Sequence, residues 1–298
     1  WNNNDKDEAN PRRLNINATI SEAVISPDEK YIAINLASST EIQIWDMEQG
    51  RKILSLDGSA KLPSGDVVDT VSQTSPGRGS TTDIAYSKDG KYIVATFKSH
   101  THVRLWDAAT GKLLHVMRGH LCQVNTAEFS PDGSKIVSAS EDGAAFIWDT
   151  KSGEIKHELR GHRGVLVTLG RKGFRAWMPP IPSPLRIELK HREGGYVPLN
   201  SAKFNRDGTK VVTTSVDGRV AVWMPKKSEP FAVRPLELKG YAGNVLTAEF
   251  SADDQFVIAG GQDGATRIWR LPKELSAQDV TPSSCEDAAR TRAANTRH

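Results

Sequence analysis

The chain has 298 residues, 38% of them hydrophobic and 25% charged, with a formal net charge of +3 and two cysteines. That composition suits one large globular domain or two ordinary ones. It excludes wholesale disorder, and no apolar run is long enough to span a bilayer. The charge is too small to point to nucleic acid, and Cys122 and Cys285 form neither a disulfide framework nor a metal-type spacing.

Seven tryptophans, Trp1, Trp45, Trp106, Trp148, Trp177, Trp223 and Trp269, stand 44, 61, 42, 29, 46 and 46 residues apart. A rare residue at near-constant interval is a repeat signal. A second marker keeps step with it: the turns Ser26-Pro27-Asp28-Glu29, Ser87-Lys88-Asp89-Gly90, Ser130-Pro131-Asp132-Gly133, Asn205-Arg206-Asp207-Gly208 and Ser251-Ala252-Asp253-Asp254. From each turn Asp to the next Trp the distance is 17, 17, 16, 16 and 16.

Taken in chain order, Trp1 sits in phase with the repeat. The segment is therefore expected to be cut from something longer, with residues 1–17 an incomplete first unit. Repeats follow over about 18–56, 80–118, 119–160, 161–190, 191–239 and 240–271. Each reads as four short strands: one before the Asp turn, one rich in β-branched residues after it, one ending at the Trp, and one closing the unit. Asp142-Gly143, Asp217-Gly218 and Asp263-Gly264 supply hairpin turns between the second and third. Residues 57–79, rich in Gly, Ser, Pro and Asp, read as a loop between units. The 161–190 repeat is short by twelve residues. It is read as three-stranded, with 165–169 an exposed inner edge and Trp177 kept in register. Residues 272–298 read as a disordered tail.

Four strands per unit cannot bury both faces alone, but units packed radially can. The pattern resembles the WD40 repeat family of β-propellers, on the evidence of Ile44-Trp45-Asp46, Leu105-Trp106-Asp107 and the stretch from Gly119-His120 to Trp148-Asp149. The resemblance implies an all-β propeller with about seven blades in the parent protein, an incomplete first blade and a shortened fourth complete-repeat position. It also implies that His120, Ser138, Asp142 and Trp148 form a hydrogen-bonded structural tetrad. Elsewhere the tetrad is altered: Tyr241 replaces the His and Ala259 the Ser, and His100 stands where an Asp belongs.

Other constellations read as structural. His100 and His102 are expected to be exposed edge residues rather than metal ligands, and Cys122 a small buried hydrophobe. The His120, Ser138 and Asp142 set lacks a nucleophile elbow. No catalytic residue, metal or cofactor is expected. The 163–194 stretch carries a net charge of +5, including Arg163, Lys172 and Arg192. Its poor aromatic interleaving speaks against nucleic acid.

The resulting expectation is a non-enzymatic, cytoplasmic protein-interaction scaffold binding an acidic protein or peptide, with no membrane or nucleic-acid partner. The candidate contact residues are Arg163, Lys172, Arg192, Tyr241, Lys98 and His100. One alternative is the sensor propeller of a larger signalling protein or ATPase. The other is a propeller enzyme with a channel active site, disfavoured because the first strands offer mostly Thr, Ala and Ser.

Overall fold

A computed structural model describes residues 14, 16, 18–37, 39–57, 81–98, 100–160, 197–225 and 235–272. Every regular element among them is a β-strand. The first sheet is β1 (Ile20–Ile25), β2 (Tyr31–Leu36), β3 (Glu41–Asp46) and β4 (Arg51–Asp57). The second is β5 (Thr81–Tyr86), β6 (Tyr92–Phe97), β7 (His102–Asp107) and β8 (Leu113–Arg118). The third is β9 (Val124–Phe129), β10 (Lys135–Ser140), β11 (Ala144–Asp149) and β12 (Ile155–Arg160). The fourth is β13 (Leu199–Phe204), β14 (Val211–Ser215), β15 (Val220–Trp223) and β16 (Leu236–Leu238). The fifth has three described strands, β17 (Val245–Phe250), β18 (Phe256–Gly261) and β19 (Thr266–Arg270). The chain is thus all-β, and its antiparallel sheets correspond to propeller blades.

In four of the five sheets the Asp turn closes the first hairpin by one device, and in the fourth Asn205 takes the place of the serine. The Ser130 hydroxyl donates to Asp132 at 2.6 Å and accepts from the Lys135 N–H at 2.9 Å, while Asp132 accepts from the Ser134 N–H at 3.1 Å. Ser26, Ser87 and Ser251 repeat it with Asp28, Asp89 and Asp253. The fourth turn residue needs a left-handed backbone. Gly90, Gly133 and Gly208 take φ of 70, 69 and 70°, whereas Glu29 and Asp254 accept 59 and 56°.

The core lies between sheets rather than within them. Ala33, Ile42 and Ile44 pack with Ile84, Ile93 and Trp106, and Val94, Val103 and Leu105 with Ala127, Ile136 and Trp148. Val137, Ala139 and Ile147 pack with Leu199, Ala202 and Trp223, and Val212, Val220 and Val222 with Val245, Ala248 and Val257. Each such valine, leucine or isoleucine side chain is worth about 1.5–3 kcal/mol when fully buried. The third and fourth sheets meet directly, with no described strand between them. The shortened repeat assigned to that place, with 165–169 and Trp177, lies outside the described residues. So do residues 1–13, the 58–80 part of the loop, and 273–298.

The first strands stand side by side and bound a cavity of about 620 Å³. Each carries a β-bulge at its second residue: Ser21, Thr82, Asn125, Asn200 and Leu246. A bulge re-aims the side chain that it carries, and three of these reach the next sheet. Thr82 donates to the Val124 carbonyl at 3.0 Å, Asn125 to that of Leu199 at 2.8 Å, and Asn200 to that of Val245 at 2.6 Å.

Candidate functional site

In the third sheet, His120, Ser138, Asp142 and Trp148 lie in one chain of hydrogen bonds. The Trp148 indole N–H donates to Ser138 Oγ at 2.8 Å. Ser138 Oγ lies 2.8 Å from His120 Nε2, and His120 Nδ1 lies 3.0 Å from Asp142 Oδ2. An indole can only donate and a carboxylate only accept, so Trp148 donates into Ser138 and the proton on His120 Nδ1 is given to Asp142. Asp142 also accepts from the Leu121 and Ala144 N–H groups at 2.8 and 2.9 Å. Burial opposes ionisation of Asp142, but the bond and charge of His120 with the two amides outweigh it and hold the carboxyl below its ordinary range. All four side chains are buried, and Ser138 is 0% exposed. Gly119 precedes the His because a Cβ there would come within 2.8 Å of both Phe146 and Ile155.

The other sheets satisfy their tryptophans differently. Trp223 donates to Thr213 at 2.7 Å, Trp45 to Gln43 at 3.0 Å, and Trp269 to the Lys239 carbonyl at 3.0 Å. The Trp106 indole N–H is buried with no acceptor among the described residues. Ala95 occupies the position equivalent to Ser138, two residues beyond the one paired with the Trp.

The channel wall corrects the expectation that first strands offer few ionisable groups. Asp83 on β5, Glu128 on β9 and Lys203 on β13 line it, and Glu22 on β1 and Glu249 on β17 add carboxyls to the flanking first strands. Asp83 accepts from the Ala127 N–H of the next strand at 2.8 Å and from its neighbour Ile84 at 3.1 Å. Burial pushes Asp83 up to about 6 and Glu128 up to about 7. Burial and the Asp83 charge raise Glu22 to about 7. Lys203 is ion-paired with Glu249.

Two further expectations are corrected. His100 and His102 are buried, at 8% and 2% exposed, not edge residues. The turn that precedes β7 is one residue longer than its counterpart before β11. It brings both rings into the cluster of Phe97 and Arg104, with His100 and His102 5.2 Å apart and the Arg104 guanidinium 4.5 Å above Phe97. Burial, then the Arg104 charge, drives His102 down to about 2. Cys122 is exposed rather than buried, because it lies in the loop ahead of β9, and desolvation with nearby Asp142 and Glu141 raises its thiol.

The candidate contact residues are not gathered at one point. Lys98 is exposed beside buried His100 in the second sheet. Tyr241 belongs to the fifth, where its hydroxyl donates to the Ala259 and Ala265 carbonyls and Arg267 covers its ring at 4.0 Å. Arg163, Lys172 and Arg192 lie outside the described residues. Among the described residues no cluster of His, Cys, Asp and Glu could hold a metal, and no helix is long and apolar enough to cross a membrane.

Comparison with known proteins agrees with this architecture. The family described as WD domain, G-beta repeat, matches residues 70–107, 111–149, 184–224 and 234–270, together just over half of the chain. Two matches begin inside the stretches assigned above to the loop and to the shortened repeat. An uncharacterized WD repeat-containing protein of Synechocystis sp. is 23% identical over 40% of this chain and 29% of its own length. Cilia- and flagella-associated protein 52 of Sus scrofa is 27% identical over 42% of this chain and 17% of its own. The guanine nucleotide-binding protein subunit beta of Zea mays is 26% identical over 42% of this chain and 30% of its own. The matches thus span less than a third of each of these relatives. On its repeat matches, the chain belongs to the WD40 repeat family.

Proposed function

We propose that this chain is a non-enzymatic, cytoplasmic scaffold that binds an acidic protein or peptide. The observation that carries the reading is how the polar groups are used. Ser138, which a hydrolase would need as an exposed nucleophile, is enclosed between Trp148 and His120. Both oxygens of Asp83 accept from strand amides rather than facing a substrate. The side chains that could do chemistry are committed to joining strands, which favours a rigid platform. The family's general role in protein interaction and the name of the maize relative, a subunit, agree with it.

The proposed docking face carries the loops before the first strands and the turns between second and third strands, which an antiparallel order places at one end of every sheet. Lys98 stands on it, and Arg163, Lys172 and Arg192 are assigned to it from the sequence. The test is capture of partners by the full chain and by a Lys98→Glu, Lys172→Glu, Arg192→Glu variant. Loss of acidic partners in the variant, and a weakening with salt, are expected. Capture indifferent to both charge reversal and salt overturns the basic-face reading.

A further inference from the structure

The seams between neighbouring sheets follow one plan. On one side stands a cross-strand pair from the second and third strands: Ala33 with Ile44, Val94 with Leu105, Val137 with Ile147, and Val212 with Val222. Each of these residues is at most 2% exposed and packs on the following sheet. The equivalent pair in the fifth sheet is Ile258 with Ile268, 40% and 64% exposed. The opposite side of the seam is open in the first sheet. Ala23 and Ile32 are not buried, whereas their counterparts Ala127 and Ile136, and Ala202 and Val211, are at most 1% exposed. The bulge position agrees. In the inner seams Thr82, Asn125 and Asn200 each reach the first residue of the next first strand. In the fifth sheet that position is Leu246, 52% exposed, and the first residue of β1 is Ile20, 45% exposed.

We infer that these two open faces bind each other and that the chain associates head to tail, the fifth sheet of one copy packing on the first sheet of a second copy. Ile258 and Ile268 then meet Ala23 and Ile32, and Leu246 meets Ile20. A second copy is the occupant because it brings Ala23, Ile32 and Trp45 at the places of Ala127, Ile136 and Trp148, the arrangement that the pair Val94 and Leu105 already packs against. Within one chain, no core cluster among the described residues joins the fifth sheet to the first. At the bulge, an apolar residue stands on each side where the inner seams have a donor, so hydrophobic contact replaces a hydrogen bond. The two faces are different surfaces. The contact is therefore heterologous and repeats from copy to copy until it closes or runs on. Because it joins separate molecules, it forms and parts with concentration. These faces are not the docking end of the sheets, and the inference does not rest on the acidic-partner reading.

The test is light scattering of the full chain over about 1–100 μM, in wild type, Ala23→Asp and Ile268→Asp. We expect the wild-type mass to rise above that of one chain with concentration. Each variant should need at least about tenfold more protein to reach the same mass, because its new charge is buried unpaired in the contact. At a concentration where neither variant associates alone, an equal mixture should form pairs and stop there. The Ala23→Asp copy keeps a sound fifth sheet and the Ile268→Asp copy a sound first sheet, while the two faces left over are both blocked. A wild-type mass of one chain throughout overturns the inference. So does association undiminished in either variant, or a mixture that stays as single chains. Both substituted side chains are exposed in the single chain, so folding should survive. Should circular dichroism show that one variant has lost its strands, Ile20→Asp or Ile258→Asp takes its place on the same face.

Discussion

The Phe146 ring lies flat on the His120 imidazole, centroids 4.3 Å apart and planes 9° from parallel. That stack holds the imidazole edge-on to Ser138 and Asp142, so the hydrogen-bond chain and the packing are one structure. Ser138→Ala strands the Trp148 N–H and the far nitrogen of His120 in the core, at a cost of about 2–4 kcal/mol for two buried groups. Ser138→Thr should retain most of the stability, since Thr213 serves Trp223 in the same way. Urea unfolding of both variants measures the difference.

The converse holds in the second sheet. Ala95→Ser places a hydroxyl where the third sheet has Ser138 and gives the Trp106 N–H an acceptor. We expect a gain of up to about 1 kcal/mol, the net worth of one buried hydrogen bond. An unchanged or lower thermal midpoint would show that the added oxygen does not reach the indole.

Gly119 and Gly243 make a matched pair. Gly119→Ala drives a methyl into Phe146 and Ile155 and should cost about 1–3 kcal/mol through overpacking. Gly243→Ala meets nothing within 4 Å and should be close to neutral. Equal midpoints for the two variants would contradict the close approach at Gly119.

At the other face of the sheets, the Ser130 hydroxyl is the main cause that holds Asp132 near 2, with Ser134 assisting. A depressed carboxyl stabilises the fold above its ordinary range and loses that contribution as the pH falls through its folded value. In Ser130→Ala, Asp132 should titrate closer to an ordinary aspartate, seen by carbon NMR of its carboxyl. The variant should also lose less stability on acidification than wild type.

The sheets were legible because two markers, the Trp and the Asp turn, recur in step and both are fixed by packing or by turn chemistry. The tetrad of His120, Ser138, Asp142 and Trp148 was legible only through the resemblance to the WD40 repeat family, which implies it at these positions. The channel wall was not legible. Strict alternation assigns faces by parity, and the bulge at Thr82, Asn125 and Asn200 shifts that parity one residue into each first strand. Glu22, Asp83 and Glu128 therefore pass for solvent-facing residues in the text. His100 and His102 were misplaced by one extra turn residue. The only trace of it is a spacing of 17 rather than 16 between Asp89 and Trp106.

The bonds from Thr82, Asn125 and Asn200 all point the same way, each from one sheet to the carbonyl of the next. A stack joined in this manner is a directional polymer, with a donating end and an accepting end to every unit. Units can be exchanged only if both ends match, and inverting one would set donor against donor. At the fifth sheet the equivalent bulge residue is Leu246, which has nothing to donate, so that unit can receive the relay but not pass it on. Transplanting the fifth sheet's sequence into an inner position would therefore break the series there, whatever its hydrophobic fit.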